Sequence, residues 1–186
     1  LLSFRLLFVL GTAVTLAASA ASAETKVVDE VRLGVLRHDA GIFGNNKEPG
    51  VDFNGELRFV SPEILKAIYA PRPHLGVSVN SAGATNQAYA GLTWTFTLAR
   101  GLASAEDSLF LDASLGGAVH DGSIRTNRTD RKELGSRVEF RESLELGWRF
   151  TPSQSVSILL DHISNANLGV KNEGLDNLGL RYGIKF

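Results

Sequence analysis

The chain has 186 residues, 44% of them hydrophobic and 21% charged, with a formal net charge of −1 and no cysteine. This near-neutral balance carries no basic footprint for nucleic acid, and without cysteine no disulfide framework can brace the fold. The length suits one domain and not comfortably two.

At the start of the chain, Arg5 precedes an apolar and small-residue run from Leu6 to Ala20, and Ala21-Ser22-Ala23 follows ahead of Glu24. A positive start, an apolar middle and an A-x-A end are the marks of a secretory signal peptide. Residues 1–23 are therefore read as a signal peptide and 24–186 as the folded unit, with an uncleaved anchor as the alternative reading. Beyond residue 23 no stretch is apolar for the length that a spanning helix needs.

Alternation at period two recurs instead, which is the strand signal. Val51, Phe53, Leu57 and Phe59 alternate with Asp52, Asn54, Glu56 and Arg58. Leu92, Trp94, Phe96 and Leu98 alternate with Thr93, Thr95 and Thr97. Phe140, Leu144, Leu146, Trp148 and Phe150 alternate with polar residues, and Glu142 interrupts that apolar row. In the last segment Leu178, Leu180, Tyr182, Ile184 and Phe186 share one face, with Gly179, Arg181, Gly183 and Lys185 on the other. Charges placed this regularly would be costly in a dry sandwich core. They suit a barrel with lipid outside and paired polar side chains within.

The pattern predicts strands near 29–38, 51–60, 73–80, 88–99, 107–120, 137–150, 155–164 and 176–186. The expected fold is an all-β, eight-stranded antiparallel transmembrane β-barrel of the outer membrane, against a soluble eight-stranded barrel or sandwich. An even strand number leaves both ends on the periplasmic side, so 39–50, 81–87, 121–136 and 165–175 become outer loops. Thr151 to Gln154 is a tight turn, and Pro62-Glu63 can open a short helix in the longer segment 61–72. Phe59, Trp148, Phe150, Tyr182 and Phe186 fit belt residues at the lipid–water boundary.

The segment Asp161-His162-Ile163-Ser164-Asn165-Ala166 closes the seventh strand. His162 and Ser164 continue the outward row of Val156, Ile158 and Leu160, about 7 Å apart along the strand. A base beside a hydroxyl is the minimum for an activated serine. Asp176 shares the outward face of the eighth strand and should lie near His162, where a carboxylate would fix the imidazole tautomer. Asp161 points inward, and Glu173 in the loop is an alternative acid. The plain reading keeps all three as polar residues at the edge of the apolar band. His38, His74 and His120 are scattered, and no metal site is read from them.

The stretch His162-Ile163-Ser164-Asn165-Ala166, followed by Asn172, Gly174 and the closing strand, resembles the lipid A 3-O-deacylase family, the PagL-like esterases of the outer membrane. That family shares an H-x-S-N-A core, an Asn-x-Gly in the last outer loop and an acidic residue soon after. The resemblance implies Ser164 as nucleophile, His162 as general base and Asp176 as the acid, where the family commonly has glutamate. It implies that Asn165 and Asn172 shape the oxyanion site or its supporting loop, and position 167 is Asn where some relatives have glycine. The implied activity is hydrolysis of the 3-O-linked acyl chain of lipid A, with no metal or organic cofactor. Its substrate would be lipopolysaccharide among outer-membrane lipids, with the site facing the outer leaflet. A homodimer is left open. Two other classes compete: a non-enzymatic barrel for adhesion or envelope structure, and an acyltransferase or phospholipase on a similar barrel.

Overall fold

The computed structural model describes residues 26–42 and 44–186, so the expected signal peptide at 1–23 lies outside the described residues. Eight strands follow one another: β1 (Val28–Arg37), β2 (Val51–Phe59), β3 (Arg72–Asn80), β4 (Gln87–Arg100), β5 (Ser108–His120), β6 (Val138–Thr151), β7 (Gln154–Ser164) and β8 (Leu175–Lys185). Each begins and ends within one residue of the bounds that alternation predicts. Every strand pairs with its chain neighbours, and β8 pairs with β1, closing an antiparallel barrel. Closure satisfies the backbone of both would-be edge strands, which a bilayer demands of any spanning sheet.

The two faces of the wall divide by residue type. Leu33, Val35, Phe53, Leu75, Phe96, Leu144, Leu146, Ile158 and Leu180 are exposed on the outside. An apolar surface of this extent is solvated by acyl chains and not by water, which makes the barrel a membrane-spanning one. The interior is filled with charge. Arg32 meets Glu145 at 2.5 Å, Glu30 at 3.1 Å and Asp112 at 3.2 Å. Arg58 meets Glu56 at 2.6 Å and Glu145 at 2.9 Å, and also pairs with Asp112. Arg181 reaches Glu56 at 2.9 Å. Nearer the loops, Arg141 pairs with Asp161 at 2.6 Å and lies over the Tyr89 ring at 3.7 Å. Eight strands leave just enough room for such side chains to fill the interior.

Three connections at one end are turns: 60–71, 101–107 and 152–153. In the first, Pro62 has φ −64 and caps a 3-10 helix over Glu63–Ile68, as its fixed ring geometry favours. The helix rests against the wall where Trp94 Nε1 donates to the Ile68 carbonyl at 2.8 Å. Phe59, Trp148, Phe150, Tyr182 and Phe186 all lie toward this turn end, so the belt residues read from sequence mark one boundary and not two.

The opposite end carries the loops 38–50, 81–86, 121–137 and 165–174, and buried carboxylates stitch them together. Asp39 accepts the amides of Lys47 and Glu48 at 2.6 and 3.0 Å and pairs with Lys132 at 2.8 Å. Glu48 accepts the amides of Thr85 at 3.1 Å and Lys132 at 2.8 Å, joining three loops. The active-site candidates stand on this braced end.

Candidate active site

The outward row of β7 runs Val156, Ile158, Leu160, His162, Ser164, and that of β8 runs Tyr182, Leu180, Leu178, Asp176. Their register sets Leu160 opposite Leu178 and His162 opposite Asp176. An outward imidazole and an outward carboxylate are thus brought side by side by strand pairing alone. His162 Nδ1 lies 2.5 Å from Asp176 Oδ1. An ionised carboxylate only accepts hydrogen bonds, so Nδ1 carries the proton and Nε2 presents its lone pair.

Asp176 is only 1% exposed although its row faces lipid. The segment after β1 covers it. Ala40 N–H donates to the Asp176 carbonyl at 2.8 Å, and Asp39 N–H donates to the Asn177 side chain at 3.2 Å. A Cβ built on Gly41 would stand 2.9 Å from both Cβ and Oδ2 of Asp176, so only glycine lets the chain pass this close. Removed from water, the carboxylate holds the imidazole more strongly than it would on a wet surface. Sequence reading missed Gly41 entirely, because nothing near residue 41 signals a contact with residue 176.

Gly174 supports the ring from the loop side. Its φ of +62 suits glycine, and a Cβ there would stand 3.0 Å from His162 Cε1. The Asn-x-Gly signal in the sequence therefore has two physical reasons: a left-handed backbone and contact with the imidazole.

Ser164 is the last residue of β7, two positions beyond His162 and opposite Phe140 of β6. The chain then turns sharply. Leu168 N–H donates to the Asn165 carbonyl at 2.9 Å, and Ala166 and Asn167 both take positive φ, 53° and 62°. This is a type I′ turn. Asn167 enters the left-handed region with little strain, which is how it stands where some relatives carry glycine.

Asn165 is buried and fully engaged. Its side-chain amide donates to the Leu134 and Lys171 carbonyls, both at 2.6 Å, and its oxygen accepts from Gly169 at 3.3 Å. Asn172 Oδ1 accepts the Asn165 amide at 3.0 Å, while its nitrogen donates to Asn167 at 3.3 Å. Both asparagines thus hold the loop that follows the serine. Beside them, Gly117, Val138, Phe140 and Leu168 line an open, largely apolar hollow of about 340 Å³.

Glu173 is engaged by other partners. Both its oxygens lie 2.8 Å from Lys47 Nζ, and it accepts the Glu133 amide at 2.5 Å. Burial would raise its carboxyl pKa, but the hydrogen bonds from Lys47 and Glu133 outweigh that and hold it below the usual range. Among the described residues no group of three or more His, Asp or Glu side chains is arranged to hold a metal ion.

Known proteins resemble the chain in sequence and in fold. The family model described as "Lipid A 3-O-deacylase (PagL)" matches residues 48–185. A lipid A deacylase PagL of Pseudomonas aeruginosa is 34% identical over 82 residues, which span 43% of this chain and 45% of that protein. The corresponding protein of Bordetella bronchiseptica is 31% identical over 80 residues, spanning 43% of each chain. The aligned stretches thus cover less than half the length of these curated relatives. A crystal structure of the outer membrane enzyme PagL superposes with a TM-score of 0.63 at 18% identity, covering 84% of this chain and 99% of that one. That likeness shows a shared fold.

Proposed function

The chain belongs to the lipid A 3-O-deacylase (PagL) family, and on that premise we propose that it is an outer-membrane serine esterase releasing the 3-O-linked acyl chain of lipid A. The observation that carries the proposal is the His162–Asp176 contact on a lipid-facing row that Ser164 shares. Polar groups on such a row lose hydration, and a bonded imidazole and carboxylate aligned with a hydroxyl repay that loss through chemistry.

In this reading Ser164 Oγ attacks the ester carbonyl while His162 Nε2 takes its proton. Asp176 holds Nδ1–H and stabilises the imidazolium that forms. The backbone amides of Ala166 and Asn167, in the turn just after the serine, are suited to bind the tetrahedral oxyanion. Asn165 and Asn172 keep that turn in shape. The imidazolium then protonates the sugar oxygen as it leaves. Water activated by the same histidine cleaves the acyl-serine, giving a free fatty acid. No step requires a metal or an organic cofactor.

The end that carries the longest connection, 121–137, is assigned to the exterior, as outer-membrane barrels have short periplasmic turns and longer outer loops. His162 and Ser164 then meet the outer leaflet, where lipopolysaccharide resides. All three groups lie in one chain. A homodimer would add no residue to this reaction and would be detected by cross-linking in the membrane.

The test is mass spectrometry of lipid A from cells producing the wild type or Ser164→Ala. Loss of one acyl chain with the wild type only is expected. Identical profiles from both, with each barrel folded in the membrane, would overturn the proposal and favour a structural or adhesive role.

A further inference from the structure

At the turn end the barrel interior opens into a cavity of about 300 Å³, bounded by Arg72, Arg100, Arg149, Lys185, Ser108 and Phe110. It lies at the far end of the barrel from His162 and Ser164. Strand ends deliver these side chains: Arg72 opens β3, Arg100 closes β4, Ser108 opens β5 and Lys185 closes β8. Register sets Ser108 opposite Arg100 on one side and Arg149 on the other. Three neighbouring strands thus turn a cation, a hydroxyl and a second cation into one mouth.

Charge is balanced deeper in the barrel and unbalanced here. In the middle, Arg32, Arg58 and Arg181 answer Glu56, Asp112 and Glu145. At the mouth the four cations have only Asp29 and Glu30, and both carboxylates are shared. Asp29 meets Arg72 at 3.0 Å, Lys26 at 3.5 Å and Lys185 at 3.8 Å. Glu30 meets Arg72 at 2.7 Å and Arg149 at 3.2 Å while also holding Arg32 at 3.1 Å. Among the described residues no carboxylate pairs with Arg100. Arg149 Nη1 is buried without a hydrogen-bond partner, and the Phe110 ring 5.6 Å from its guanidinium offers no acceptor. A buried donor on a charged group is costly to leave unmet.

We propose that this mouth is an anion site that takes a phosphate group, held by Arg100 and Arg149 with Ser108 between them and Lys185 adding charge from β8. The excess of cations over carboxylates matches a dianion. Guanidinium forks bind phosphate oxygens in pairs, and a serine hydroxyl can donate a further bond. Thr97 and Arg100 are exposed at the rim, so the cavity is reached from solvent. The charge cluster in the middle of the barrel closes it from within, which stops the ligand at the mouth.

The phosphate arrives either free or as the phosphomonoester headgroup of a lipid, and the test separates the two. Inorganic phosphate is titrated calorimetrically into the full chain in maltoside micelles, with ionic strength fixed by sodium chloride. Saturable one-site binding is expected. Arg100→Met and Arg149→Met should each weaken it on the order of 10- to 100-fold, the scale of one hydrogen bond to a charged group. Arg128→Met, which removes an exposed cation from the loop end, should leave it unchanged. In micelles doped with phosphatidic acid, loss of the phosphate heat assigns the site to a lipid headgroup, and an unchanged heat assigns it to free phosphate. Absence of saturable binding overturns the proposal, as does an affinity that survives in both Arg100→Met and Arg149→Met. An equal loss in Arg128→Met overturns it too, because general charge attraction would then suffice. Arg100 is exposed and unpaired, so its replacement spares the fold and keeps the test decisive should Arg149→Met not fold. The readout is binding, so the result stands whichever way the esterase test falls.

Discussion

Charged residues occur on both faces of this barrel, and they are treated oppositely. Inside, Arg32, Arg58 and Arg181 each touch two to four carboxylates, and the cluster is sealed from solvent. Outside, the row on β7 and β8 carries only His162, Ser164 and Asp176 among leucine, isoleucine and valine near the site. Alternation decides which face a residue joins, so a shift of one position would exchange the two roles. An inward charge holds the wall together, while an outward polar group either does chemistry or wastes hydration.

The largest expected effect is on the outer face. Asp176→Ala should lower turnover by about 10³- to 10⁴-fold, the scale seen when the acid of a serine triad is lost, while the barrel still folds. Glu173→Ala, which removes a partner of Lys47, should stay within a few-fold. Assay of both variants in the same membranes checks the pair, and the reverse ranking would move the acid into the loop. Inside the barrel the expectation inverts. Arg58→Met leaves Glu56, Asp112 and Glu145 short of a cation, and should cost about 3–5 kcal/mol of stability. Urea unfolding in vesicles measures that cost. Activity per folded molecule should hardly change, and a stable but inactive Arg58→Met barrel would break the division of labour.

A smaller effect is expected in the loops, where His38 lies 3.0 Å from Glu48 and 2.9 Å from Asp52. Burial pushes the His38 pKa down, but the hydrogen bonds to Asp52 and Glu48 outweigh it and raise the pKa to about 9. Burial likewise raises Glu48, and its bonds to His38, Lys132 and Thr85 bring it to about 2. A raised histidine stabilises the fold fully below its ordinary value of about 6.5 and stops doing so as pH rises through 9. A lowered carboxylate contributes fully above about 4.5 and stops as pH falls toward 2. The segment 44–50 should therefore be best protected between about pH 4.5 and 6.5 and loosen above pH 9. Amide exchange, corrected for its intrinsic pH dependence, reads this directly; equal protection at pH 6 and pH 10 would count against it.

Much of this was legible because it is local. Alternation marks a strand within a few residues, Pro62 announces its own turn, and two neighbouring strands fix which residues of β7 and β8 share a face. His162 and Asp176 follow from that pairing once the connecting loop is drawn. What was illegible spans the ring. Arg58 meets Asp112 and Glu145 from β5 and β6, and no local pattern states which charge across the interior answers it. Gly41 closes over Asp176 from a loop more than a hundred residues away. The aromatic residues could be recognised as belt residues, but their gathering toward one end depends on strand direction at every position.

The cover over Asp176 comes from the segment after β1, and β1 reaches β8 only when the ring closes. The first and last strands to be synthesised must therefore meet before the carboxylate is sheltered and the imidazole is held. An open sheet, part-way through assembly, would expose Asp176 to water and leave His162 loosely oriented. On the esterase reading proposed above, completion of the barrel would act as a safety catch: His162 and Asp176 would be set for hydrolysis only when the chain gains its final place in the membrane.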